Sequence, residues 1–409
     1  MGTLSASIDS VRGFQVAGVH AGLKKEGALD FSLIVSEANC VAAGVFTRNK
    51  VKAAPVLLDQ ERLAENPKAI RAVATNTISA NACTGALGLK NARATANLVA
   101  DALSIVAEQV LVMSTGVIGT HLPMDKIARG VELAGTSLGS DWRAAAAGIM
   151  TTDTRPKLAS ITVDSESGSY TIAGIVKGAG MIAPNMATML SVIVTDAALG
   201  LPEAQASLKT AAQQSYNRIV IDGDTSTNDT VLLLANGMSG VDVSSGDELE
   251  AFQSALNALA RYLAQEVVRD GEGVTKFITL NIVNAESGEA AERIGQTIGA
   301  SVLTKSAFYG SDANWGRIVA AAGRANTAFD PDSTSLRVTA GERSAGDAAG
   351  LEIFSAGMPT EYREEAAAAI MAEPSITFTL DCGIGNGEAT IWTCDISHEY
   401  ISINGDYRS

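Results

Sequence analysis

Thr188 stands at the head of an apolar run, in GMIAPNMATMLSVIVTDA (residues 180–197). A threonine hydroxyl is a weak nucleophile until a base removes its proton. The three histidines, His20, His121 and His398, form no Ser-His-Asp-like arrangement, so the base must come from elsewhere. Cutting the peptide bond between Ala187 and Thr188 would create one. The freed α-amino group, with a reference pKa of roughly 7.7–8.0, then lies within reach of its own Oγ. The plainer alternative is a β-branched residue that opens a strand.

General-base catalysis supplies only ~10²–10⁴-fold, so a nucleophile of this kind also needs donors for an oxyanion. VMSTGVIG (residues 112–119) offers a pair: a strand ending there can present the Thr115 hydroxyl beside the Gly116 N–H, or simply make a Ser-Thr-Gly turn. A second glycine-rich stretch, VKGAGMIA (residues 176–183), satisfies G-x-G-x-x-G/A with Gly178, Gly180 and Ala183, and Asp196 follows as a ribose partner. Dinucleotide binding requires a helix to start at those glycines. Pro184 and the strand-like TMLSVIVTD leave no room for one, so the glycines are assigned to close backbone approach or a tight turn.

The elements that would position these groups are mixed. Strands are predicted at 30–36, in the pair SITVDS and YTIAGIV around the turn ESGS, and at QVLVMS, TMLSVIVTD, FITLNIVN, SITFTL and EATIWTC. Helices are predicted at 91–103, 202–216 and 360–371. The clearest runs from 247 to 270, where Leu249, Phe252, Leu256, Leu259, Leu263 and Val267 recur every three or four residues, Asp247 can cap the start and Gly271 can end it. The class is α/β or α+β, with no internal repeat and no linker.

The 409 residues carry a formal net charge of −15, with 46% hydrophobic and 18% charged residues. That composition describes a globular chain, and its field disfavours nucleic acid and anionic membrane. Cys40, Cys83, Cys382 and Cys394 form no C-x-x-C pair, and with three histidines they make no zinc pattern. Reduced thiols, a cytoplasmic location and no metal are expected. The opening Met-Gly is not a myristoylation start, because Ala6 stands where Ser or Thr is needed.

KGAGMIAPNMATML (residues 177–190) resembles the glutamate N-acetyltransferase, or ornithine acetyltransferase, family of arginine biosynthesis. So do AGVFTRNKVKAAPV (43–56), STGVIG (114–119), MTTDTRPK (150–157), DGDTSTNDT (222–230), DGEGVTK (270–276), GSDANWGRI (310–318) and GNGEATIWTCDIS (385–397), in the family's order. The resemblance implies a layered αββα fold shared with self-cleaving aminopeptidases. It implies a cut between Ala187 and Thr188 into an α chain, 1–187, and a β chain, 188–409, that stay together and usually assemble as an α2β2 heterotetramer. It further implies a ping-pong cycle without a cofactor, in which Thr188 takes the acetyl group of N2-acetylornithine, releases ornithine and acetylates glutamate. Some members accept acetyl-CoA as donor.

Carried over by motif, Thr115 and Gly116 form the oxyanion hole, while Thr151 and Lys177 line the substrate site. Lys177 supplies a cation for the amino-acid carboxylate, Glu272 takes the ammonium group, and Asn404 and Ser409 contact substrate. One departure stands out: the family usually has glycine and asparagine where this chain has Ile78 and Ser79. The other enzymatic reading is an N-terminal-nucleophile aminopeptidase or amidohydrolase of the same fold, in which water takes the acyl group. The non-enzymatic one is an uncut small-molecule-binding protein.

Overall fold

The computed structural model describes residues 2–406 except Glu26, residues 184–188 and Ala348. They form two compact units. The first comprises Met1–Gly178, Asn185–Asn217 and Thr225–Val267, and the second Ala179–Pro184, Arg218–Asp224 and Val268–Ser409.

The first unit is built on a nine-stranded mixed sheet. Its order is Thr3–Ser5, Lys157–Ser165, Gly168–Lys177, Leu190–Thr195, Thr230–Ala235, Phe31–Phe46, Ile70–Asn76 and Val110–Ser114, with Phe14–Val19 also paired to Phe31–Phe46. Leu190–Thr195 runs parallel to Thr230–Ala235, and Ile70–Asn76 to Val110–Ser114. Parallel neighbours need a crossover, supplied here by the helices Leu201–Gln214 and Gly85–Leu103. Every residue of LSVIVT and TVLLLA is buried, which fits strands covered on both faces and explains their unbroken apolar runs.

Lys157–Ser165 and Gly168–Lys177 form the expected hairpin, with Ser165 opposite Gly168 and Gly168 at φ +129 closing the turn. The adjacent register matters more. Lys177 pairs with Leu190, and Leu190 with Thr230, so the strand that ends at Lys177 and the strand that begins at Leu190 are neighbours in the sheet.

The second unit carries a seven-stranded sheet, ordered Met358–Pro359, Leu351–Ser355, Ser335–Ala340, Ser375–Asp381, Phe277–Ala285, Gly387–Cys394 and Ile219–Val220. Its core packs Ile278, Leu280 and Ile282 with Ile294 and Ile298 of the helix Gly288–Gly299. The chain is thus a mixed α/β fold on two sheets, the class the sequence predicts.

The helix Gly246–Arg269 buries Phe252, Leu256, Leu259, Leu263 and Val267, as its periodicity requires. Asp247 lies inside its first turn rather than at its cap, where a carboxylate still complements the helix dipole. The predicted helix at 91–103 begins earlier, at Gly85, and the one at 360–371 is shorter, Glu364–Met371. No described helix is long and apolar enough to cross a membrane.

Candidate functional site

In the first unit the strand Val110–Ser114 ends where the oxyanion pair was expected. Thr115 is buried and its N–H donates to the Asn76 carbonyl at 3.0 Å. Asn228 braces the same strand end, its Nδ2 donating to the carbonyls of Ser114 at 2.8 Å and Ala80 at 2.7 Å. Gly116 takes φ +134 against the chain at residues 78–79, where an added Cβ would lie 2.2 Å from the Ile78 carbonyl carbon and 2.6 Å from the Ser79 nitrogen. With the 78–79 peptide group this close, glycine is the residue that fits.

Ile78 itself sits at φ +74. A β-branched residue in the left-handed region is strained by about 1–3 kcal/mol, and this is the position where the resembled family has glycine. Its side chain is partly exposed, so little packing offsets that strain. Ile78→Gly is expected to raise thermal stability by about 1 kcal/mol after the entropy cost of glycine is subtracted. A lower Tm in calorimetry would contradict the strain.

Thr151, Lys177 and Thr115 converge. The buried Lys177 Nζ donates to Thr151 Oγ1 at 2.7 Å and to Thr115 Oγ1 at 3.2 Å. Sequence reasoning missed the residue that holds Thr151 and Lys177, Asp153. Its Oδ1 accepts from Lys157 Nζ at 2.6 Å and the Gly178 N–H at 2.7 Å, and its Oδ2 accepts from the Thr151 N–H at 2.9 Å and lies 4.0 Å from Lys177 Nζ. Burial alone would raise the Asp153 pKa, but the Lys177 and Lys157 ammoniums reverse that and hold its carboxyl well below the usual range. The signal was present in MTTDTRPK, where a carboxylate stands two residues from Thr151 and four from Lys157. Nearby, burial lowers the pKa of Lys24, whose charge also feels Asp30, Asp153 and Lys177.

Met189, the first described residue after the expected cut, donates its N–H to Asp229 Oδ1 at 3.0 Å. Burial pushes the Asp229 carboxyl well above the usual range against that bond. Asp229 too was missed, although it lies in DGDTSTNDT. Ala187, Thr188 and Ser409 lie outside the described residues.

In the second unit Glu272 and Asn404 come together. Glu272 is buried just past the helix ending at Arg269, and Asn404 Nδ2 of the helix His398–Gly405 donates to its Oε2 at 2.7 Å. Gly180 passes against this carboxylate, where a Cβ would lie 2.5 Å from Oε2, so this glycine of the G-x-G pattern serves close approach. No helix begins among the described residues of 178–189, which removes the dinucleotide reading. Asp222, also missed, accepts the N–H groups of Met181 at 2.5 Å and Ile182 at 2.9 Å and the Tyr400 hydroxyl at 3.2 Å. Burial raises the Asp222 carboxyl above its ordinary pKa, and burial together with the Asp222 charge pushes the Tyr400 phenol up.

No group of three or more His, Cys, Asp or Glu among the described residues is placed to hold a metal. The four cysteines are free thiols, with Cys83 exposed.

Residues 15–409 match the model of the ArgJ family. The chain is 45% identical to the arginine biosynthesis bifunctional protein ArgJ of Thermotoga neapolitana, over 97% of its own length and 99% of the relative's. It is 44% identical to the protein of the same name from Geobacter sulfurreducens, over 98% and 100%. Among solved structures it is similar to ornithine acetyltransferase of Mycobacterium tuberculosis in complex with ornithine, at 41% identity over 46% of this chain and 100% of that one, with a TM-score of 0.42. A match along nearly the whole length of both partners at this identity leaves one conclusion: the chain belongs to the ArgJ family.

Proposed function

We propose that the chain is an acetyltransferase of arginine biosynthesis that moves an acetyl group from N2-acetyl-L-ornithine to L-glutamate through an ester on Thr188. The observation that carries this reading is the convergence of Thr115, Thr151 and Lys177 at the end of the strand Gly168–Lys177, whose last residue pairs with Leu190. The names of the ArgJ relatives agree with it.

The chain first cuts itself between Ala187 and Thr188: Thr188 Oγ attacks the Ala187 carbonyl, the C–N bond breaks as the acyl group shifts to oxygen, and water hydrolyses that ester to leave the Ala187 carboxylate and the Thr188 amine. The α-amino group then takes the Thr188 hydroxyl proton while Oγ attacks the acetyl carbonyl, and the carbonyl electron pair moves onto oxygen. Thr115 Oγ–H and Gly116 N–H hold that oxyanion. Collapse breaks the C–N bond, and the ornithine amine leaves with the proton held by the α-amino group. Glutamate reverses the steps with its own amine.

Lys177 and Thr151 face the amino-acid portion of the substrate, Glu272 pairs with its ammonium group, and Asn404 and Ser409 complete the contacts. No cofactor is needed. Acetyl-CoA, as the second donor of a bifunctional enzyme, enters as a substrate. The cytoplasm and an α2β2 assembly complete the reading.

Self-cleavage leaves the sheet of the first unit intact, because Leu190–Thr195 and Thr230–Ala235 lie between Gly168–Lys177 and Phe31–Phe46. The two fragments are therefore expected to co-elute in native size exclusion and to separate only in denaturant. Separation without denaturant would contradict the reading.

Gly180→Ala forces the Glu272 carboxylate aside and away from Asn404. The expected result is a rise of roughly tenfold in KM for N-acetylornithine with kcat within a few-fold, as one charge-assisted contact of ~1.5–3 kcal/mol weakens. An unchanged KM would remove Glu272 from the substrate site.

The function itself is tested by incubating purified protein with N-acetylornithine and glutamate and following both products. Equal amounts of ornithine and N-acetylglutamate are expected, and release of acetate in their place would overturn the transferase in favour of a hydrolase.

A further inference from the structure

An ammonium has three donors and no acceptor, so at the Lys177–Thr115 contact of 3.2 Å the lysine donates and the Thr115 oxygen accepts through a lone pair. The Thr115 proton must then point elsewhere. A cation on the oxygen also makes the hydroxyl a stronger donor, because it stabilises the negative charge that builds on oxygen when the O–H is shared. Lys177, Thr115 and Asp153 are all buried, so little water screens the effect.

The position of Lys177 is itself fixed. A second bond to Thr151 Oγ1 at 2.7 Å anchors the ammonium, and Asp153 Oδ2 keeps a counter-charge 4.0 Å away. That carboxylate is occupied by the Thr151 N–H, the Gly178 N–H and Lys157 Nζ, so it steadies Lys177 without drawing it from Thr115.

We propose that Lys177 acts through Thr115. Its ammonium turns and polarises the Thr115 hydroxyl so that this O–H donates to the oxyanion of acetyl transfer, and Asp153 is the positioning residue that fixes Lys177. The inference rests on the oxyanion role given to Thr115 above and differs from a lysine that only binds the amino-acid carboxylate. No proton changes owner at Thr115; the bond Thr115 O–H···O⁻ strengthens as charge develops, so the effect belongs to kcat. Self-cleavage passes through an oxyanion as well and draws on the same pair.

The test compares Lys177→Met, Thr115→Val and the double variant in the acetylation of Thr188 by two donors, N-acetylornithine and p-nitrophenyl acetate, which has no carboxylate. Lys177→Met is expected to slow acetylation by about 10- to 100-fold with both donors, somewhat less than the ~10²–10³-fold typical of losing an oxyanion donor outright. The double variant is expected to fall within a few-fold of Thr115→Val alone, since the two act as one unit. Asp153→Asn should lower kcat in parallel with both donors while KM changes little.

A loss confined to KM for N-acetylornithine, with p-nitrophenyl acetate unaffected, would overturn the inference, as would losses that multiply in the double variant. If Lys177→Met remains uncut, the precursor becomes the readout. Thr115→Val must then remain uncut too, and a Thr115→Val that cuts normally would refute the coupling. A parent enzyme that acquires no acetyl group from either donor would instead overturn the proposed function, and the inference with it.

Discussion

Thr188→Ala is expected to yield a single uncut chain with no measurable acetyl transfer. The substitution removes the one oxygen that both reactions need. Self-cleavage loses the hydroxyl that attacks the preceding carbonyl, and transfer loses the atom that carries the acetyl group. The loss therefore approaches the whole enzymatic acceleration rather than a fraction of it, because the covalent route loses the atom on which it is built. The sheet register predicts that the fold survives: Lys177 still pairs with Leu190, and Leu190 with Thr230. Intact mass and circular dichroism check the two halves of this expectation. Two fragments split at residue 187 in the alanine variant would require another nucleophile.

Gly116→Ala is the second large effect. A Cβ at φ +134 would meet the carbonyl carbon of Ile78 at 2.2 Å and its oxygen at 2.3 Å. These are main-chain atoms beside a strand end fixed by Asn228, so they cannot turn aside as a side chain would. Either the 115–116 backbone rotates and withdraws its donors, or the 78–79 segment moves. The expected outcome is a fall of ~10²–10³-fold in kcat, matching the loss of an oxyanion donor, with a lowered Tm. The same variant should accumulate uncut precursor. Activity within a few-fold of the parent would mean that Gly116 is a turn residue and nothing more.

How far the sequence revealed all this depended on whether the signal was local. The helix Gly246–Arg269 and the hairpin Lys157–Ser165/Gly168–Lys177 were legible because periodicity and turn chemistry are properties of neighbouring residues. The helices Met124–Thr136 and Gly288–Gly299 went unpredicted, although the buried Ile294, Ile298, Ile127 and Val131 follow helical spacing. Thr115 and Gly116 were found as a strand end, and Lys177 through the resemblance. The carboxylates that hold the site were not found. Asp153 becomes informative only when Lys157, Gly178 and Thr151 are seen around it, and Asp229 only when Met189 is seen to donate to it. A buried aspartate that receives main-chain N–H groups from distant parts of the chain looks, in sequence, like any surface aspartate. Ile78 shows the reverse case: a departure noticed in sequence whose meaning, a β-branched residue at positive φ against Gly116, required the backbone.

The central claim is that Thr188, freed by self-cleavage, carries the acetyl group. Intact mass spectrometry of the purified protein before and after brief exposure to N-acetylornithine tests it most directly. The account predicts two fragments divided between Ala187 and Thr188, with one acetyl group gained by the fragment that begins at Thr188 and lost again on addition of glutamate. A single uncut mass, or a cut protein that never gains the acetyl group, would contradict it.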